Sequence, residues 1–138
     1  MSINCPLCQN AGGEIVWQNE LARVVLADEP EYPGFCRVIL QQHAAEMTDL
    51  PAAQRQALME IVWAVETIVR NTLQPTKINV ASLGNVVPHV HWHIIPRWLD
   101  DLHFPAPIWA TAAPNRNTHT LTPTQLSQLR QQLEQLTP

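Results

Sequence analysis

Residues 89–97 read His89-Val90-His91-Trp92-His93-Ile94-Ile95-Pro96-Arg97. Strict alternation of imidazoles with large apolar residues demands a strand, because successive strand side chains point to opposite faces. His89, His91 and His93 then share one face, with Cα atoms spaced by about 6.6 Å. Val90, Trp92 and Ile94 take the other face and need a hydrophobic layer to cover them. The spacing predicts a strand over 88–95, ended by Pro96. A chain holding this strand is therefore built as a sheet with one buried face and one reactive polar face.

The rest of the chain supplies such a layer. Short β-prone runs over 15–17, 23–27 and 36–40 are separated by the polar turn Gln18-Asn19-Glu20 and by Pro30, Pro33 and Gly34. From 51 to 73, apolar residues fall at Leu58, Ile61, Val62, Val65, Ile68, Val69 and Leu73, the 3.6-residue period of an amphipathic helix. Thr48 or Asp49 is placed to cap it, Pro51 suits its first turn, and Pro75 stops it. A fourth strand is expected over 77–81. Residues 99–117 are rich in proline and polar side chains and should form an irregular arm. Thr122-Pro123 then opens a second helix carrying Leu126, Leu129, Leu133 and Leu136 on one stripe. Five strands with one long helix between the third and fourth do not alternate as βαβα. The expected class is α+β, a five-stranded antiparallel sheet with the long helix and the C-terminal helix packed on it. Residues 1–98 would form the core, with 99–138 packed on the same domain.

Charge and cysteines narrow the function. Eight Lys and Arg against twelve Asp and Glu give a net charge of -4, with no basic stripe for a nucleic-acid polymer. Charged residues make up only 14% of the 138, against a usual value of about 25%, which suggests a surface covered by a second copy. No apolar run is long enough for a bilayer span, and the first six residues lack the basic and apolar regions of a secretory signal, so a cytoplasmic protein is expected. Three cysteines, Cys5, Cys8 and Cys36, argue against a disulfide framework. Cys5 and Cys8 have the C-x2-C spacing of half a zinc site, and a redox pair or free thiols are the alternatives. Cys36 opens an apolar run and reads as a small core residue.

Three imidazoles in register allow two chemistries. They could hold a catalytic metal together, or one could be a nucleophile while its neighbours bind the reacting group. Neutral imidazole is a good nucleophile near neutral pH. Asp100 and Asp101, the carboxylates a metallo-hydrolase would want, follow only after Pro96. The nucleophile reading leads.

The His-apolar-His-apolar-His run followed by Ile94-Ile95 resembles the signature of the histidine triad family. The likeness extends to Gly84-Asn85-Val86-Val87-Pro88-His89 and to the stretch from Leu26-Ala27-Asp28 through Pro33-Gly34, Cys36 to Leu40 and His43. It spans Cys5 to Arg97. The resemblance implies that His91 attacks the α-phosphate of a nucleotide, forming a nucleotidyl-histidine that water releases as nucleoside monophosphate. It further implies that His93 binds the transferring phosphoryl group with Asn85, and that Asp28 binds ribose. Ile15 and Trp17 would wall the base. Dinucleoside polyphosphates or nucleoside phosphoramidates would be the substrates, and no organic cofactor is needed. Some members bind a structural zinc, and the matching residues are Cys5, Cys8, His43 and His89; most form two-fold dimers. The chain departs from the pattern at Asn85, where many members have Gln, at Val86, where a hydroxyl is common, and at Phe35, where several carry His. A nucleotide-binding module with little turnover and a three-His metallo-hydrolase are the competing functions. His103, His119 and Arg97 read as solvated, Arg97 with the option of facing phosphate. Trp98, Phe104 and Trp109 would cover the base site or a partner.

Overall fold

The computed structural model describes residues 4–138. Strands β1 (Glu14–Gln18), β2 (Ala22–Leu26), β3 (Cys36–Leu40), β4 (Lys77–Ala81) and β5 (His91–Arg97) form one sheet in the order β1-β2-β3-β5-β4. Every neighbouring pair is antiparallel. Helix α1 is a single turn, Pro6–Gln9; α2 is Ala52–Leu73 and α3 is Pro123–Glu134. The architecture is α+β. Among the described residues, no helix is long and apolar enough to cross a membrane.

One face of the sheet carries the main core. Val24, Val38 and Ile94 from the strands pack with Leu58, Val62 and Val65 of α2 and Leu129 and Leu133 of α3. Each such side chain, withdrawn fully from water, stabilises the fold by roughly 1.5–3 kcal/mol. Period-2 alternation then sends Arg37 and Ile39 of β3, and His91, His93, Ile95 and Arg97 of β5, to the opposite face. There Tyr32, Phe35 and Ile95 make a smaller cluster with Ile108 from the arm.

Several boundaries differ from expectation, each for a local reason. The β5 ladder begins at His91 rather than Pro88 and runs through Pro96 to Arg97. Its last pair with β3 is Cys36 with Ile94, so at Pro96 only β4 lies alongside and the missing N–H breaks no bond to β3. His89 and Val90 precede the regular ladder, where Val90 bonds Ala44 and Leu40 through its backbone. Pro51 occupies the N-cap of α2 rather than its first turn, and neither Thr48 nor Asp49 caps that helix. Asp49 instead closes a 3-10 turn over Met47–Asp49 by accepting from the Glu46 N–H. Thr122 does cap α3, accepting from the Gln125 N–H while Gln125 reaches back to the Thr122 N–H. Helix α1, at four residues, is too short to carry a period in the sequence.

Arg97 and His103 are buried rather than solvated. The Arg97 guanidinium donates to Asp101 at 2.8 and 3.1 Å, to Asn79 at 2.7 Å and to the Ala106 carbonyl at 2.7 Å. His103 meets the Tyr32 hydroxyl through Nδ1 and stacks on its ring. His119 is partly exposed, stacked on Trp98 and paired with Asp100 at 2.8 Å. The arm therefore has no regular elements but is firmly held.

Candidate functional site

The three histidines of residues 89–93 divide between two neighbouring sites. His91 and His93 stay together on the face away from α2, with ring centroids 4.9 Å apart and planes at 77°. His89 turns its ring toward the N-terminal turn, where its Nδ1 lies 3.3 Å from Cys5 Sγ, 3.6 Å from Cys8 Sγ and 3.2 Å from His43 Nδ1. Among the described residues, the ligand atoms of Cys5, Cys8, His43 and His89 form a group in which all lie within 4.8 Å of one another. His89, His91 and His93 do not converge on one point, which removes the geometry of a three-His metal centre.

The Cys2His2 group fits a tetrahedral ion. Bonds of about 2.3 Å to sulfur and about 2.0–2.1 Å to nitrogen imply ligand-to-ligand edges of roughly 3.3–3.8 Å. Cys8 Sγ to His43 Nδ1 is 3.4 Å, in line with the other three distances. The second nitrogen of His89 fixes its tautomer: Nε2 donates to the Leu40 carbonyl at 2.7 Å, so Nδ1 presents a lone pair to the group. Residues Cys5, Cys8, His43 and His89 can therefore hold a metal ion. Arg23, buried on β2, holds the N-terminal segment over this face by donating to the carbonyls of Leu7, Asn10 and Ala11 and to Gln41.

His91 is set by the backbone of its neighbour. Its Nδ1 donates to the His89 carbonyl at 2.6 Å, which leaves the Nε2 lone pair free. His93 is enclosed by aromatic rings, edge-on to Phe35 at 5.7 Å and to Trp109 at 5.2 Å. Its Nδ1 is buried without a hydrogen-bond partner among the protein atoms. Burial first, then the proximity of His91 and Arg37, pushes its pKa down to about 4, so it is a neutral ring at physiological pH. A neutral imidazole still donates one N–H, which suits a phosphoryl oxygen.

The family follows from comparison with known sequences. The profile of the HIT domain matches residues 9–98. The chain belongs to the HIT domain family. It is 27% identical over 105 residues to an AP-4-A phosphorylase of Mycobacterium tuberculosis, an alignment covering 72% of this chain and 54% of that one. It is 28% identical over 91 residues to the asymmetrical bis(5'-nucleosyl)-tetraphosphatase of Schizosaccharomyces pombe, covering 62% and 50%. The match thus spans about half the length of these two relatives. A histidine triad protein from Bradyrhizobium japonicum has a similar structure, with TM-score 0.73, 28% identity, and coverage of 89% of this chain and 92% of that one.

Within this HIT domain the remaining expected residues are spread around the histidines. Asp28 is exposed just past β2, on a cleft of about 720 Å³ that the Gly12-Gly13 backbone and Arg130 also line. Asn85 and Val86 are exposed in the loop before β5, which Gly84 turns with a φ of 79°. Ile15 and Trp17 do not share a wall. A bulge pairs Ile15 with Val25 but Trp17 with Val24, so Ile15 faces the histidine side and Trp17 packs against the main core. One residue of the site escaped the sequence reading altogether. Arg37 stands directly across the ladder from His93. Alternation from the buried Cys36 and Val38 was the signal that could have found it.

Proposed function

We propose that this HIT domain is a nucleotide hydrolase or transferase that cleaves at the α-phosphate of dinucleoside polyphosphates or nucleoside phosphoramidates. The observation that carries the reading is the bond from His91 Nδ1 to the His89 carbonyl, which in the neutral ring puts the lone pair on Nε2, away from the backbone. That nitrogen attacks the α-phosphorus, and the bond from phosphorus to the leaving polyphosphate oxygen or amine nitrogen breaks as the N–P bond forms, the amine departing with a proton taken up from water. The Nδ1 proton stays hydrogen-bonded to the carbonyl and spreads the positive charge of the new imidazolium. Water then displaces the imidazole, giving nucleoside monophosphate and the free enzyme. Splitting one displacement into two lowers each barrier.

In this reading His93 donates to a non-bridging oxygen, Asn85 reaches the same group from its loop, and Asp28 accepts from the ribose hydroxyls. Ile15 is the apolar contact for the base, and Trp109 screens the phosphoryl group from bulk water. Zinc in the Cys5, Cys8, His43 and His89 group would be structural, because all four positions of a tetrahedron are then taken by the protein. A two-fold dimer in the cytoplasm belongs to the same reading, and sedimentation at micromolar concentration should give twice the monomer mass.

The test is release of nucleoside monophosphate from diadenosine tetraphosphate and from adenosine phosphoramidate. His91→Ala should lower release at least about 1,000-fold while retaining fold and metal content. Release that survives this substitution would overturn the nucleophile, and folded wild-type protein inactive on both substrates would leave a binding module.

A further inference from the structure

Three guanidinium groups lie on the histidine face of the sheet, and they are not equally engaged. Arg23 makes four bonds of 2.7–3.1 Å to the N-terminal segment and Gln41. Arg97 is buried against Asp101, Asn79 and Ala106. Arg37 has only long contacts. It lies 3.6 Å from Glu29, a carboxylate about half exposed, and 3.4 Å from the Gly12 carbonyl. Its guanidinium rests 4.9 Å from the centre of the Phe35 ring, the ring that also borders His93.

The ladder fixes where this loosely held charge sits. Ile15, Val25, Arg37, His93 and Ala81 are successive cross-strand partners, so they form one row running across the sheet. Directly opposed residues share a face with Cβ atoms about 5 Å apart. Arg37 is thus the side chain next to His93 on the way to Ile15. A nucleotide whose phosphate is at His91 and His93, and whose base is at Ile15, must pass it. The phosphate otherwise meets neutral groups: His93 is a neutral ring, Asn85 carries no charge, and Val86 offers no donor. A phosphate anion held by neutral donors beside Asp28 and Glu29 lacks a counter-charge.

We infer that Arg37 is the phosphate-binding cation of this site, leaving Glu29 to take a non-bridging oxygen of the phosphoryl group that His91 attacks. The inference rests on the nucleotide reading given above. Glu29 acts as the resident anion that holds the guanidinium near the site until the phosphate displaces it. Arginine suits this exchange, because its planar fork pairs with carboxylate and phosphate in the same geometry.

Binding of adenosine monophosphate and of adenosine, measured by calorimetry on the full chain, tests it. Arg37→Leu should weaken the monophosphate about 10- to 100-fold and leave adenosine within about twofold, the range expected for one charge-assisted contact. The dependence of monophosphate affinity on ionic strength should flatten in the same variant. Arg37→Lys should recover part of the loss, and Glu29→Gln should bind the monophosphate more tightly than wild type. Circular dichroism confirms the fold of each variant, and Arg37→Gln replaces Arg37→Leu if the latter is unfolded. Equal weakening of both ligands, or of neither, would overturn the role of Arg37 while leaving nucleotide binding intact. Wild-type protein that binds no monophosphate would remove the nucleotide reading and this inference together.

Discussion

Strand β5 is anchored by polar groups at both ends, and the two anchors are built on opposite plans. Around Arg97 the chain satisfies itself. Asp101 accepts from the Arg97 guanidinium and from the backbone N–H groups of Trp98, His103 and Phe104, with the Tyr32 hydroxyl also within reach. Around His89 the chain gathers two thiols and two imidazoles whose lone pairs face one another. That end can close around a cation from outside. His91 and His93 lie between a closed anchor and an open one, so the reactive pair can be rigid at one side and metal-dependent at the other.

The closed anchor should be the costlier to break. Asp101→Asn leaves a buried guanidinium without its counter-charge and is expected to destabilise the fold by about 3–5 kcal/mol, read from urea unfolding. Loss of less than about 1 kcal/mol would mean that Asn79 and the Ala106 carbonyl suffice. The open anchor should lose less. Cys5→Ser should abolish stoichiometric metal and remove about 2–3 kcal/mol of metal-linked stability, seen as a Tm that no longer responds to chelator. Unchanged metal content in this variant would sink the tetrahedral site.

Acid separates the closed anchor from the histidine pair beside it. Burial alone would raise the Asp101 pKa, but the Arg97 and backbone hydrogen bonds outweigh it and hold the carboxyl well below the usual carboxylate range. Its contribution is therefore fully present above about pH 4, where the unfolded carboxylate is ionised, and is lost as pH falls below that. Asp101→Asn should flatten the acid limb of the stability curve. His93 contributes in a higher window. With its pKa lowered to about 4, stability falls as pH drops from about 6.5 toward 4, because the unfolded ring takes up a proton first. An NMR titration of His93 should show a midpoint near 4. The smallest effect concerns Trp109, which is half exposed at 51%. Trp109→Ala should change stability by less than about 1 kcal/mol yet shift the His93 midpoint upward as its ring gains solvent.

What could be read from the sequence was whatever repeats. The alternation of β5 and the 3.6-residue stripe of α2 are periodic over many residues, so strand, helix and the faces they bury were legible. The Cys5, Cys8, His43 and His89 set was legible only through family likeness, since nothing local joins position 8 to position 89. The failures share a cause. Arg97 finds Asp101 only four residues on, but its burial is completed by Asn79, and His103 is met by Tyr32, both far away in sequence. The bulge in β1 moved Trp17 off the expected wall by a single residue, a register change that no hydrophobic pattern records.

Arg23 has a practical corollary. Its guanidinium grips three carbonyls of one short stretch, at Leu7, between Cys5 and Cys8, and at Asn10 and Ala11 just after them. With a metal bound, this N-terminal segment would be riveted twice, by unrelated chemistries on overlapping residues. Undoing one rivet yields a hinged flap rather than a loose tail. A protease acting on demetallated protein should nick near Cys5 and stop short of Gly12, leaving the sheet sealed.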